Sequence, residues 1–182
     1  MGCSGSTTSK TNMSSTNISD EERERLNKMS FYDFVCITST GEECSMSQFR
    51  GKVVYIVNTA SQWGRTWTEF QRFTKLHQAW GDEKLQILGF PSLEFGKQEY
   101  TTDDKILEFA KSQNFPGILM KLGKVKSTAG NECQEIWNYL RLKTLSNDPN
   151  WNFASKYLIS KTGQVTISKG NISTEIAELI EH

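Results

Sequence analysis

Residues 52–66, Lys-Val-Val-Tyr-Ile-Val-Asn-Thr-Ala-Ser-Gln-Trp-Gly-Arg-Thr, constrain the fold more than any other stretch of the chain. Val53, Val54, Tyr55, Ile56 and Val57 form an unbroken β-branched and aromatic run, the pattern of a strand covered on both faces. Small and polar residues follow from Asn58 to Gly64, and Thr66-x-x-Glu69 reads as a capping box opening a helix that carries Trp67, Phe70, Phe73 and Trp80 until Gly81 stops it. A strand with no polar face needs a layer on each side, so the segment calls for an α/β sheet. Its strand-to-helix junction also suits a nucleophile, because free N–H groups and partial positive charge at a helix N-terminus favour a thiolate. Trp63 stands at that junction, and an indole has no ionisable proton.

The rest of the chain alternates in the same way. A charged helix is predicted over residues 20–29, a β-hairpin over 31–49 about Thr40-Gly41, and a second buried strand over 85–90. A loop with Pro91, Gly96 and Gln98 leads to a helix over 103–111 capped by Thr101 or Thr102, then to a short strand over 118–122. Asn131 is the expected cap of a helix burying Ile136, Trp137, Tyr139 and Leu140. A hairpin pairing residues 157–160 with 164–168 follows, and Ser173 is expected to cap a last helix carrying Ile176, Leu179 and Ile180. Ligands in such sheets meet at carboxyl ends of strands, which brings the loop of Trp63 and the loop of Glu94 to one edge.

At 182 residues the chain is sized for one domain. Lys plus Arg and Asp plus Glu are equal at 21 each, without basic runs, so nucleic-acid binding is not expected. The four cysteines, Cys3, Cys36, Cys44 and Cys133, are scattered, with neither metal-ligand spacing nor a disulfide framework, and a reducing, cytoplasmic setting is expected. No apolar run reaches the ~20 residues of a membrane span and none resembles a secretory signal. Residues 1–20 are Ser/Thr/Asn-rich and read as a disordered tail, with the domain over 21–182. That tail opens Met1-Gly2-Cys3-Ser4-Gly5-Ser6, which matches the N-myristoylation pattern at Gly2 with Cys3 placed for a second acyl chain; a plain polar tail is the alternative.

Three separated motifs carry a resemblance: residues 57–64, Val-Asn-Thr-Ala-Ser-Gln-Trp-Gly; residues 89–99, Gly-Phe-Pro-Ser-Leu-Glu-Phe-Gly-Lys-Gln-Glu; and Trp151-Asn152-Phe153. From about Phe31 to the C-terminus the chain resembles the glutathione peroxidases. The resemblance implies a thioredoxin-like fold with a central mixed sheet flanked by helices and an N-terminal β-hairpin. It implies a peroxidase in which a cysteine or selenocysteine attacks the peroxide O–O bond and the resulting acid is reduced by glutathione or thioredoxin, with no further cofactor. Glutamine, tryptophan and asparagine side chains position that atom. Carried over by motif, the four catalytic positions are Trp63, Glu94, Trp151 and Asn152.

Here the chain departs from the pattern it resembles. Trp63 removes the nucleophile, and Glu94 replaces an amide by a carboxylate that would raise the pKa of any neighbouring thiol. Ser92 and Lys111 stand where many members carry cysteines, the second being the resolving position, so an intramolecular disulfide relay is not expected. The stretch from Asn152 to Leu158 runs one residue longer than usual. Apart from the resemblance, Trp151 and Asn152 read equally as ordinary core and turn residues. Cys133, near a helix start, is the best substitute nucleophile by local chemistry, Cys36 and Cys44 read as small buried hydrophobes, and His77 reads as a surface residue without a partner.

Three functional expectations follow: a catalytically impaired peroxidase-like protein; an active selenoenzyme whose selenocysteine codon is read as Trp63; and a membrane-tethered interaction module anchored through Gly2 and Cys3. The short connection from Leu142 to Trp151 resembles the monomeric type that reduces phospholipid hydroperoxides, so a monomer is expected. If active, its partners are a hydroperoxide and a thiol reductant.

Overall fold

The computed structural model describes residues 18–132 and 134–182. Gly2, Cys3 and Cys133, and with them the acylation motif and the substitute thiol, lie outside the described residues.

The buried run forms strand β3 (Val53–Thr59), every residue of which is buried. It pairs in parallel with β4 (Leu85–Pro91), Val57 opposite Gly89, and β4 pairs in parallel with β5 (Ile118–Leu119). On its other side β3 takes the antiparallel strand β6 (Lys156–Ile159), which pairs with β7 (Val165–Ile167). The resulting mixed sheet has the order β5-β4-β3-β6-β7. Alternation along β3 divides the core. Val54 and Ile56 join Leu88, Phe90 and Tyr157 on the face covered by helix α4 (Glu135–Thr144), whose Trp137 meets Phe90 and Tyr157 edge-on at 5.5 and 5.6 Å. Val53, Tyr55 and Val57 face the opposite layer with Phe70 and Phe73 of α2 (Thr66–Lys84), Ile106 of α3 (Asp103–Ser112) and Ile176 of α5 (Ile172–Glu181).

Before the sheet come helix α1 (Asp20–Lys28) and a hairpin of β1 (Val35–Ile37) and β2 (Glu43–Ser45). The hairpin is shorter than the sequence predicts. A capping box between Ser30 and Asp33 winds residues 31–33 into a 3-10 turn, and residues 46–49 form another. β5 is likewise only two residues long, extended by an isolated bridge from Met120 to Thr38.

Three of the expected caps are replaced. Thr66 is the first helical residue rather than the cap, and its hydroxyl donates to the Ala60 carbonyl at 2.6 Å, a tertiary bond that outcompetes the capping box. Glu69, freed from the cap, pairs with Arg72 and Lys156. Asn131 lies in a 3-10 stretch, Ser127–Glu132, and α4 starts after Gln134 without a side-chain cap. Asn171, not Ser173, caps α5 through the Thr174 N–H. Gly81 does interrupt α2, with φ 66, but Trp67 is exposed rather than part of the buried stripe. His77 has a partner, Asp82, at 3.0 Å.

Candidate functional site

The loop from β3 to α2 is tied at each step. The Thr66 N–H donates to the Trp63 carbonyl at 3.0 Å, closing a tight turn, and the Gln62 N–H donates to the Gln98 carbonyl at 2.9 Å. The Ser61 N–H donates to Glu99 Oε1 at 3.1 Å. Trp63 is half-buried, its indole stacked on the Phe153 ring at 5.6 Å between centroids and 21° between planes.

Asn58, fully buried at the end of β3, organises the third motif. Its Nδ2 donates to the Trp151 carbonyl at 2.8 Å and its Oδ1 accepts the Ser155 N–H at 3.2 Å, while its backbone carbonyl accepts the Phe153 N–H at 2.9 Å. These bonds hold Phe153 at φ 56, a left-handed conformation uncommon for an aromatic residue. They also aim Asn152 inward, where its Nδ2 donates to Gln98 Oε1 at 2.7 Å. Trp151 is 42% exposed and lies over Gly96, where a Cβ would sit 3.2 Å from the indole.

Trp63, Trp151 and Asn152 are thus gathered by contacts through Phe153, Asn58 and Gln98. The Glu94 carboxylate is engaged elsewhere: Oε2 accepts the Val125 N–H at 2.6 Å, the Lys126 N–H at 3.3 Å and the buried Ser92 hydroxyl at 2.9 Å. Arg141, buried on α4, braces the same loop through the Val125 carbonyl and Asp148, whose carboxylate also accepts the Ser127 N–H.

The sequence assigns no site role to Gln98 or Glu99, although both stand inside the second motif. Glu99 is 2% exposed and accepts the Ser61 and Tyr100 N–H groups through Oε1, with Oε2 unpartnered. Burial raises its carboxyl above the ordinary value, against the lowering pull of its hydrogen bonds from Ser61 and Tyr100. A buried carboxylate is rarely visible in sequence, because nothing in the residue type tells which glutamate a loop will enclose.

Chemically the cleft offers hydrogen-bonding and stacking groups. The described cysteines lie in the hairpin and are buried, and desolvation with the neighbouring Cys44 pushes the Cys36 thiol up to about 12, far from a reactive thiolate. Ser92 is fully buried and Lys111 is exposed on α3. No group of three His, Cys, Asp or Glu side chains placed to hold a metal occurs among the described residues.

A mixed sheet of this order with helices on both faces, and a loop cluster where the first parallel strand enters its helix, defines a thioredoxin-like protein. A solved structure of Trgpx in apo form shares it, with a TM-score of 0.64, 26% identity, and coverage of 85% of this chain and 97% of that one. The family description "Glutathione peroxidase" matches residues 31–141. A glutathione peroxidase from Lactococcus lactis is 37% identical over 156 residues, 84% of this chain and 96% of its own length. A phospholipid hydroperoxide glutathione peroxidase from Callithrix jacchus is 30% identical over 141 residues, 75% of this chain and 70% of its own. The chain belongs to the glutathione peroxidase family, whose members reduce hydroperoxides at the expense of thiols.

Proposed function

We propose that this chain is a glutathione peroxidase-family protein that does not turn over hydroperoxide, because Trp63 occupies the peroxidatic position. The observation that carries the reading is the Trp63–Phe153 stack, in which an indole with no ionisable proton packs against the third motif. Glu94 supports it: an amide expected to steady a thiolate is replaced by a carboxylate bound to the 125–126 backbone. The test is hydroperoxide-dependent oxidation of glutathione or thioredoxin by the purified full chain. No turnover is expected; turnover that vanishes when position 63 alone is changed would refute the reading.

A second reading, a selenocysteine at position 63 written as tryptophan, is favoured by Ser92 and Lys111. An enzyme reduced directly by glutathione needs no resolving cysteine, and Asn152 still reaches into the loop cluster through Gln98. The codon at position 63, or selenium in the intact mass of the native protein, decides between the two.

In either reading the protein is a monomer of the cytoplasm, with Gly2 and Cys3 as its route to a membrane surface as a tethered module. No helix among the described residues is long and apolar enough to cross a membrane. The tether is tested by Gly2→Ala, which should shift membrane-bound protein to the soluble fraction; an unchanged distribution removes the anchor from the account.

A further inference from the structure

Cys36 on β1 and Cys44 on β2 stand directly opposite each other in the hairpin register. The Met46 N–H donates to the Phe34 carbonyl and the Thr38 N–H to the Glu42 carbonyl. With the alternation of an antiparallel ladder, the 36–44 pair between them is therefore a hydrogen-bonded one, with Cα atoms ~5.5 Å apart. Disulfides are commonest at Cα separations of ~5.5–6 Å, so the backbone is already spaced for one. The Cβ atoms of a hydrogen-bonded pair start ~5.5 Å apart and need to close by about 1–2 Å, which a local twist of the short hairpin supplies. Both side chains are buried on the inner face of the hairpin and both thiols are free.

We infer that Cys36 and Cys44 form a reversible cross-strand disulfide, a redox latch on the N-terminal hairpin that exchanges with small-molecule disulfides. Cys36 reacts first, because it lines an open groove of about 430 Å³ with Phe34, Lys121 and Ile136, whereas Cys44 is almost fully covered and held by Gln48 at 3.4 Å. The Cys36 thiolate attacks one sulfur of the small disulfide and expels a thiolate. Cys44, losing its proton to solvent, then attacks the Cys36 sulfur and expels the second. The net change converts two protein thiols and one small disulfide into one protein disulfide and two small thiols.

The hairpin so locked is stapled to the sheet edge. Ser39 donates to the Leu119 carbonyl through its N–H and to the Met120 carbonyl through its hydroxyl, and the Lys121 N–H donates to the Ile37 carbonyl. Oxidation therefore stiffens the segment leading to the Val125–Lys126 loop that Glu94 binds. The latch does not depend on what occupies position 63.

The test uses the full chain with Cys3→Ser and Cys133→Ser, equilibrated with glutathione disulfide at pH 8.5 and read by intact mass. The expected product has lost two hydrogens, carries no glutathione adduct, and reverts with dithiothreitol; adding Cys44→Ser should stop the reaction at one adduct. Peptide mapping of the oxidised parent chain, which needs no substitution, should find the 36–44 link. A thiol with so high a pKa exchanges through a rare thiolate, so the rate should rise about tenfold per pH unit between pH 7 and 9. Closing the short loop from 36 to 44 should lower the unfolding equilibrium constant by up to about 80-fold. The inference is overturned if the native protein keeps both thiols under conditions that oxidise the urea-unfolded chain, if it stops at a mixed disulfide, or if the oxidised form is no more stable than the reduced.

Discussion

Replacing Asn58 should dismantle the third motif more thoroughly than replacing any residue within it. Its amide supplies two of the three bonds that hold residues 151–155 against the end of β3, to the Trp151 carbonyl at 2.8 Å and from the Ser155 N–H at 3.2 Å, the third being the backbone bond from the Phe153 N–H. Asn58→Ala leaves the Ser155 N–H without its partner and the Trp151 carbonyl with only the Ala154 N–H at 3.3 Å. A buried polar group left unsatisfied costs about 1–3 kcal/mol. Ser155 is buried and bears the full cost, whereas the Trp151 carbonyl bears only part of it because it keeps the Ala154 N–H. The expected loss is therefore about 3 kcal/mol, which for a chain of this size lowers Tm by about 6–12 °C. Urea unfolding followed by tryptophan fluorescence measures it, with the midpoint falling and the slope unchanged.

Asn58→Asp separates bonding from shape. The carboxylate can still accept the Ser155 N–H but has no proton for the Trp151 carbonyl, and it places charge at a fully buried position. Its folded-state pKa should lie above the unfolded value of ~3.9, so the penalty is full at neutral pH and fades as pH falls towards that value. Asn58→Asp should be less stable than Asn58→Ala at pH 7 and gain on it under mild acid. A loss below about 1 kcal/mol for Asn58→Ala, or an Asp variant indifferent to pH, would refute the claim that this side chain holds the motif.

Glu99→Gln tests the other buried carboxyl. Its raised pKa means the folded state holds a proton that the unfolded state has released, so the parent loses stability as pH rises from the ordinary value of 4.5 through the raised folded value. Gln keeps an acceptor for the Ser61 and Tyr100 N–H groups, so stability against pH should flatten in that window, as equilibrium unfolding at several pH values will show. Arg141→Leu removes the brace between Val125 and Asp148 and should cost about 2–4 kcal/mol by the same unfolding measurement, Asp148 being partly solvated. Trp63→Cys should restore a peroxide-reactive atom: hydroperoxide followed by dimedone should label position 63 in the variant, with no corresponding label at that position in the parent.

The layer structure was legible because β3 opens on an unbroken apolar run over 53–57 and β4 is apolar apart from Gln86, and helices with one apolar stripe alternate with them. Boundaries and caps were less legible because short polar side chains compete for the same few free N–H groups and can find tertiary partners instead. Thr66 has the spacing of a capping box but finds the Ala60 carbonyl, and Ser173 looks like a cap although Asn171 lies nearer the first free N–H groups. Trp67 follows the helical period yet is 61% exposed, since periodicity gives a face and not the width of what covers it. At the site, the motifs located Trp63, Trp151 and Asn152 without indicating that Gln98 would join them or that the Glu94 side chain would turn to the 125–126 loop. Those outcomes depend on which backbone N–H groups lie within reach, and no local pattern encodes that.

We predict that the departures from the family pattern at positions 63 and 94 are chemically linked. A carboxylate is acceptor-only, and Glu94 uses Oε2 for two backbone N–H groups and a hydroxyl. Glutamine in the same pose would offer its single oxygen to those N–H groups and point its NH2 away from them, free to donate towards a thiolate or selenolate. Donation of that kind stabilises an anion, which an indole never becomes. With Trp63 stacked on Phe153, a donor at 94 has no anion to meet, and an acceptor that secures the Val125–Lys126 loop serves the fold better. Restoring the amide by Glu94→Gln should therefore weaken the parent and matter to reactivity only alongside Trp63→Cys. Equal reactivity of Trp63→Cys with Glu or Gln at 94 would show the two positions to be independent.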